Sequence, residues 1–126
     1  MLSIDTNGNI TLTRGDTFKV PLFIDVSDNI FAPIRFPLHK GDIIYFHLLE
    51  ANRPFECPLL AKKFTYEDVN ENNDIIIKFN HEDTVKLFPG IYFYEIKLQR
   101  PNTEEDTDPS DDYYITIVPR RKFVIQ

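Results

Sequence analysis

Few residues of this chain are of types that do chemistry, and none stands in a spacing that would let them. The histidines, His39, His47 and His81, are scattered and follow no zinc pattern. Cys57 lies between Glu56 and Pro58, with no neighbouring base to stabilise a thiolate, and a single cysteine forms no internal disulfide. No nucleophile motif, phosphate-cradling loop or metal signature is present, so the sequence predicts a protein that is not an enzyme and that uses no metal or cofactor. Arg14-Gly15-Asp16 spells an adhesive tripeptide. Lys40-Gly41-Asp42, however, repeats the basic-Gly-Asp unit at the same place before another alternating run. The unit therefore reads as a turn, in which Gly supplies a positive φ and Asp a local side-chain bond.

Charge narrows the partners. Residues 1–63 hold seven acids and seven bases, and the whole net charge of −6 is matched by the six acids of segment 101–112, which has no base. That segment lacks the Asp-x-Asp-x-Asp-Gly spacing that wraps a calcium ion and is broken by Pro109, so it reads as a solvated acidic loop. Elsewhere the balance leaves no field for phosphate backbones, and nucleic acid is not expected as a partner. The longest apolar runs, such as Ile43-Ile44-Tyr45-Phe46, stop at four residues, against roughly 20 for a spanning helix. Neither membrane insertion nor a secretory leader is expected, since Met1-Leu2-Ser3-Ile4-Asp5 lacks a basic and apolar start.

The elements that must position these residues are strands. Eleven Phe, six Tyr and nine Pro in 126 residues favour β structure over helix. Period-two rows appear at Phe18, Val20, Leu22, Ile24 and Val26; at Ile44, Phe46 and Leu48, with Tyr45 and His47 on the opposite face; at Ile75, Ile77 and Phe79; and at Tyr92, Tyr94, Ile96 and Leu98, with Glu95 and Lys97 opposite. Ile10 and Leu12 start an earlier strand, 59–65 a less regular one, and 113–118 and 121–126 two last strands parted by Pro119. Residues 81–88 suit a short helical turn. About 7–8 strands at this spacing, over one domain spanning 1–126, predict an all-β, immunoglobulin-like antiparallel β-sandwich.

Leu87-Phe88-Pro89-Gly90-Ile91-Tyr92 resembles the corner of immunoglobulin-like and fibronectin-like domains, where a Tyr hydroxyl bonds back to the backbone a few residues upstream. Leu87, Gly90 and Tyr92 are its expected structural residues. Several aromatics, Phe23, Phe31, Phe36, Phe55 and Phe93, do not fit one core. Phe31, Phe36 and Phe93 are accordingly candidates for an interface. Arg120-Arg121-Lys122 is a basic run that either protects a sheet edge or meets an acidic neighbour in an assembly.

The order of these signals is also that of a known family. Ile10 to Thr17, then Gly41-Asp42-Ile43-Ile44-Tyr45-Phe46, then Glu82-Asp83-Thr84, Leu87 and Gly90-Ile91-Tyr92-Phe93-Tyr94-Glu95-Ile96 resemble small phage virion proteins and the N-terminal domains of phage upper-baseplate proteins. The resemblance implies an immunoglobulin-like building block of baseplate, tail or capsid decoration, made in the bacterial host cytoplasm and located in the virion. Its partners would be other virion proteins or copies of itself. The chain departs from that family in its long acidic insertion. The alternative is a carbohydrate-binding β-sandwich module: Tyr113 and Tyr114 are adjacent on a strand, so one of them faces outward, although the chain has no Trp.

Overall fold

The alternating rows become strands wherever the computed structural model describes the chain, which is over residues 2–22, 40–68, 75–101 and 112–126. In chain order these are β1 (Leu2–Ile4), β2 (Ile10–Leu12), β3 (Phe18–Leu22), β4 (Ile43–Leu49), β5 (Leu60–Thr65), β6 (Ile75–Phe79), β7 (Gly90–Arg100) and β8 (Tyr113–Ile125). A one-turn helix, α1 (His81–Thr84), joins β6 to β7. The protein is all-β. Phe23, Phe31, Phe36, the row beyond Leu22, and acidic residues 102–111 lie outside the described residues, as do the side chains of Phe18, Val20, Leu22, Ile75 and Tyr113.

Six strands form one sheet in the order β1-β2-β8-β7-β4-β5, and β3 pairs with β6 in a second. Among the described residues every pairing is antiparallel except β2 with β8, where Ile10, Thr11 and Leu12 run parallel to Phe123, Val124 and Ile125. No hairpin links these two segments, so nothing local imposes an antiparallel sense. The ladder continues past the strand ends, with Gln126 N–H donating to the Leu12 carbonyl (2.8 Å) and Arg14 N–H to the Gln126 carbonyl (3.0 Å).

The expected pair of last strands is instead one 13-residue strand. Tyr94 faces Arg121 and Ile96 faces Val118, so Pro119 and Arg120 together oppose the single residue Glu95. Pro119 thus sits in a bulge, where its missing N–H interrupts no regular ladder bond, and the strand bends rather than ends.

Even-numbered side chains of β4 and β7 fill the core: Ile44, Phe46, Leu48, Tyr94, Ile96 and Leu98 are buried with Leu12, Ile77, Phe79, Phe123 and Ile125. Phe79, on the two-stranded sheet, meets Phe46 edge-on at 5.4 Å between ring centres and Phe123 at 5.6 Å. Phe46 also stacks on Tyr94 at 5.5 Å, with 20° between the rings. Each such ring contributes roughly 1.5–3 kcal/mol by leaving water, and well-oriented aromatic pairs about 0.5–1.5 kcal/mol more.

Both basic-Gly-Asp units are turns with glycine at positive φ, +82° at Gly15 and +97° at Gly41. The first is clipped to α1. Gly15 N–H donates to the Thr84 hydroxyl (2.9 Å), and the His81 ring Nδ1–H donates to the Gly15 carbonyl (2.8 Å). A Cβ on Gly15 would stand 3.2 Å from His81 Nδ1. The second unit does more than turn the chain. Asp42 continues the inward row of β4, is 1% exposed, and accepts two bonds from Arg100, at 3.0 Å from Nε and 2.8 Å from Nη2. A buried carboxylate of this kind is tolerated because a forked guanidinium meets both of its oxygens. Removing one member strands the other. Asp42→Ala is expected to lose about 3–5 kcal/mol of stability in urea denaturation, and a loss below about 0.5 kcal/mol, the usual limit for surface changes, would contradict this pairing.

The β1–β2 hairpin is held by a carboxylate. Asp5 accepts from the backbone N–H of Asn7 and Asn9 at 2.9 Å each and from the Asn9 side-chain amide at 2.9 Å. These bonds, led by that from the Asn9 side chain, hold the Asp5 carboxyl below its ordinary range. The turn is tied to the core by the Tyr94 hydroxyl, which donates to the Gly8 carbonyl. Burial pushes the Tyr94 phenol upward, an effect that Arg121 opposes and Asp5 reinforces. A phenol whose pKa is raised on folding stabilises the fold in its protonated form. That contribution is complete below the unfolded-state value near 10 and is lost as pH rises through the folded value. Stability is therefore expected to fall more steeply above about pH 10 in the wild type than in Tyr94→Phe. Tyr94→Phe should itself cost about 1 kcal/mol at neutral pH. Parallel pH profiles of the two proteins would contradict this.

Candidate functional site

With the even rows turned inward, the odd rows build an outer face. In register across three strands, Tyr45 of β4 lies beside Lys97 of β7, and Gln99 of β7 beside Tyr114 of β8. These side chains, with His47, Phe55 and Glu56, line a cleft of about 390 Å³, within the range of small-molecule sites.

One wall comes from the loop between β4 and β5. The loop turns through Asn52, a non-glycine residue at φ +65°, and is pinned by bonds from Arg53 N–H to the Glu50 carbonyl (3.2 Å) and from Cys57 N–H to the Pro54 carbonyl (3.0 Å). It folds Phe55 back onto the sheet. The Phe55 ring lies flat on His47, 3.9 Å between centres and 16° apart, and the His47 Nδ1–H donates to the Phe55 carbonyl at 2.7 Å. Lys97 Nζ stands 4.4 Å from the Phe55 ring centre, where the negative face of the ring attracts a cation.

The floor is a fixed polar chain. The Tyr45 hydroxyl donates to Gln99 Oε1 at 2.6 Å, and Gln99 Nε2 donates to Asp112 Oδ2 at 3.0 Å. A carboxylate only accepts, so the amide nitrogen must face Asp112 and the amide oxygen Tyr45. The Gln99 side chain is thereby oriented before any ligand arrives. Tyr114 forms the opposite wall and is 64% exposed.

The expected corner lies at the other end of β7. The Tyr92 hydroxyl donates to the Phe88 carbonyl, four residues upstream, at 2.7 Å. Leu87 and Tyr92 pack partly buried against the core, and Gly90 opens the strand. Phe88 and Ile91 point outward, 82% and 59% exposed.

The basic run does not form one patch. It belongs to β8, which is flanked by β2 and β7 and is no sheet edge. Arg120 is engaged within the chain, pairing with Glu95 at 2.7 Å and donating to the Arg53 carbonyl at 2.8 Å. Arg121 and Lys122 are exposed, and the alternation of the strand sends them to opposite faces. Arg121 packs across Gly8, where a Cβ would stand 3.7 Å from its Cγ. Phe93 is half-buried and lies opposite Leu49 on β4 and Lys122 on β8. Phe31 and Phe36 are outside the described residues.

Sequence reasoning missed the cleft. It placed His47 on the face opposite the core and left Phe55 unassigned, but nothing local to 50–58 indicates that the loop returns Phe55 onto His47. Among the described residues no group of His, Cys, Asp and Glu could hold a metal ion, and no helix is long and apolar enough to cross a membrane. Comparison of the chain with protein-family models, with curated proteins and with solved structures gives no match.

Proposed function

We propose that this chain is a structural or adaptor protein of a bacteriophage particle, a component of baseplate or tail, or of capsid decoration or fibre attachment. It works through protein–protein contacts with other virion proteins or with copies of itself. The reading assigns it no catalytic step, no cofactor, no nucleic acid and no membrane insertion. The observation that carries it is the corner of β7. A hydrogen bond from Tyr92 to the Phe88 carbonyl fixes a turn that holds Phe88, 82% exposed, and Ile91, 59% exposed, out in water. Large apolar side chains held rigidly at one exposed corner favour a partner that covers them.

An immunoglobulin-like assignment of the fold belongs to the same reading. In such domains the G, F and C strands, extended by C′, share one sheet, and B and E lie in the other. The order β8-β7-β4-β5, with β3 paired to β6, suits those places in turn, and Tyr92 stands where the corner tyrosine starts strand F. The sequence order of the turn and strand signals, described above, supplies the phage context.

A second reading, a carbohydrate-binding module, is favoured by one specific observation: the aromatic-walled cleft on the outer face, with Tyr114 exposed at its rim.

The leading reading is tested in the particle. The chain is expected to co-purify with density-banded virions in a fixed ratio to the major structural proteins, read by quantitative mass spectrometry. Phe88→Asp, at a position that contributes little to the core, should fold normally yet be depleted from particles. A chain confined to the soluble fraction of the lysate, or a Phe88→Asp variant incorporated like wild type, counts against it.

A further inference from the structure

The outer-face cleft carries more than a fold-level suggestion of sugar binding, because its chemistry is selective. We infer that it is a binding site for a neutral hexopyranose, with Tyr114 as the stacking platform and Gln99 as the hydroxyl-reading group. The inference rests on the carbohydrate-binding reading and specifies its site and ligand class; it is independent of where in a particle the chain resides.

A pyranose ring presents an apolar face of C–H groups and a rim of hydroxyls that both donate and accept. A site for it needs an exposed aromatic face beside a polar group already locked in orientation. Tyr114 and Gln99 are register partners on adjacent strands, so platform and reader sit side by side on the sheet. Gln99 has one amide hydrogen on Asp112 and its oxygen on the Tyr45 hydroxyl. Its second amide hydrogen and the Tyr45 oxygen lone pairs are left for ligand hydroxyls. Because Gln99 is fixed from both ends, binding orders no additional rotamer there.

Charge selects for neutrality. The lining carries one cation, Lys97, and one carboxylate, Glu56, and a second pair flanks it, Lys63 with its Nζ 5.7 Å from the Tyr45 ring centre and Asp112 bonded to Gln99, so cations and carboxylates balance. Lys97 is drawn onto the Phe55 ring, and Glu56 is exposed on the loop. A charged sugar would gain from one and be opposed by the other, whereas hydroxyls bond to both. A volume of about 390 Å³ holds a small saccharide. Phe55 is covered by His47 on one side and approached by Lys97, so it acts as a wall and Tyr114 as the available face.

The test is a titration of the full chain, followed by backbone amide NMR, with four neutral probes (glucose, galactose, N-acetylglucosamine and lactose) and with tyrosine amide and uridine as planar non-sugar probes. At least one neutral sugar is expected to shift resonances of Lys97, Gln99 and Tyr114. Tyr114→Ala, at an exposed position, should weaken that binding about tenfold, and Gln99→Ala should do so with the fold intact by the same spectra. Shifts at a different surface, unaffected by Tyr114→Ala, would overturn the cleft assignment while leaving a carbohydrate-binding module. No sugar-induced shift anywhere would overturn both. Binding of uridine or tyrosine amide in the cleft without any sugar would overturn the ligand class.

Discussion

The contact of Phe79 with Phe46 and Phe123 is what makes two sheets one core. Phe79 is presented by a two-stranded sheet too small to be stable by itself in water, whereas Phe46 and Phe123 lie on the six-stranded sheet, with Tyr94 stacked beneath Phe46. An apolar face the width of six strands cannot stay exposed, and two strands gain stability only by covering it. The same cluster sets the parity of every strand it touches. With Phe46 inward, Ile44 and Leu48 are inward, Tyr45 and His47 are outward, and a slip of one residue would reverse them all.

That parity decides where function can lie. Among the described residues the inner face is packed, so the surfaces proposed for recognition are the outer face and the corner. Tyr45, Lys97, Gln99 and Tyr114 come together there because each is the strand neighbour of a residue packed in or against the core. They inherit the rigidity of the sheet rather than the mobility of a loop. Lys62 closes the rim of the core: its ammonium pairs with Asp83 at 2.9 Å and lies 5.6 Å from the Phe79 ring centre, joining β5 to α1 beside the aromatic cluster. The exposed corner of Phe88 and Ile91 stands at the Gly90 end of β7, and Gln99 of the cleft near its other end. A single strand of 11 residues thus carries both the corner proposed to meet a protein partner and the cleft proposed to hold a sugar.

Much of the strand plan was legible because period two is a direct consequence of strand geometry. The rows through Ile44 and Tyr94 needed only the alternation of the sequence, and the helical turn expected within 81–88 forms at its polar start, His81–Thr84. Where sequence reasoning fell short, a longer-range constraint had the deciding role. Asp42 and Arg100 each extend an inward row by one step, so parity alone would have placed both charges on the core side. Reading Lys40-Gly41-Asp42 as turn punctuation hid that. Pro119 looked like a break, but its own strand, paired along β7, absorbs it as a bulge. The parallel docking of β2 on β8 and the return of Phe55 onto His47 depend on contacts between distant segments, which leave no local mark.

The sheet-to-sheet contact can be measured directly by a double-mutant cycle on Phe46→Leu and Phe79→Leu, read by urea denaturation. These substitutions keep both sites apolar while removing the ring pair. A coupling of about 0.5–1.5 kcal/mol between the two positions is expected from rings 5.4 Å apart at 81°. Additive losses, with coupling below about 0.3 kcal/mol, would mean that the two sheets do not meet through these residues, and the division into an inner and an outer face would fail with them.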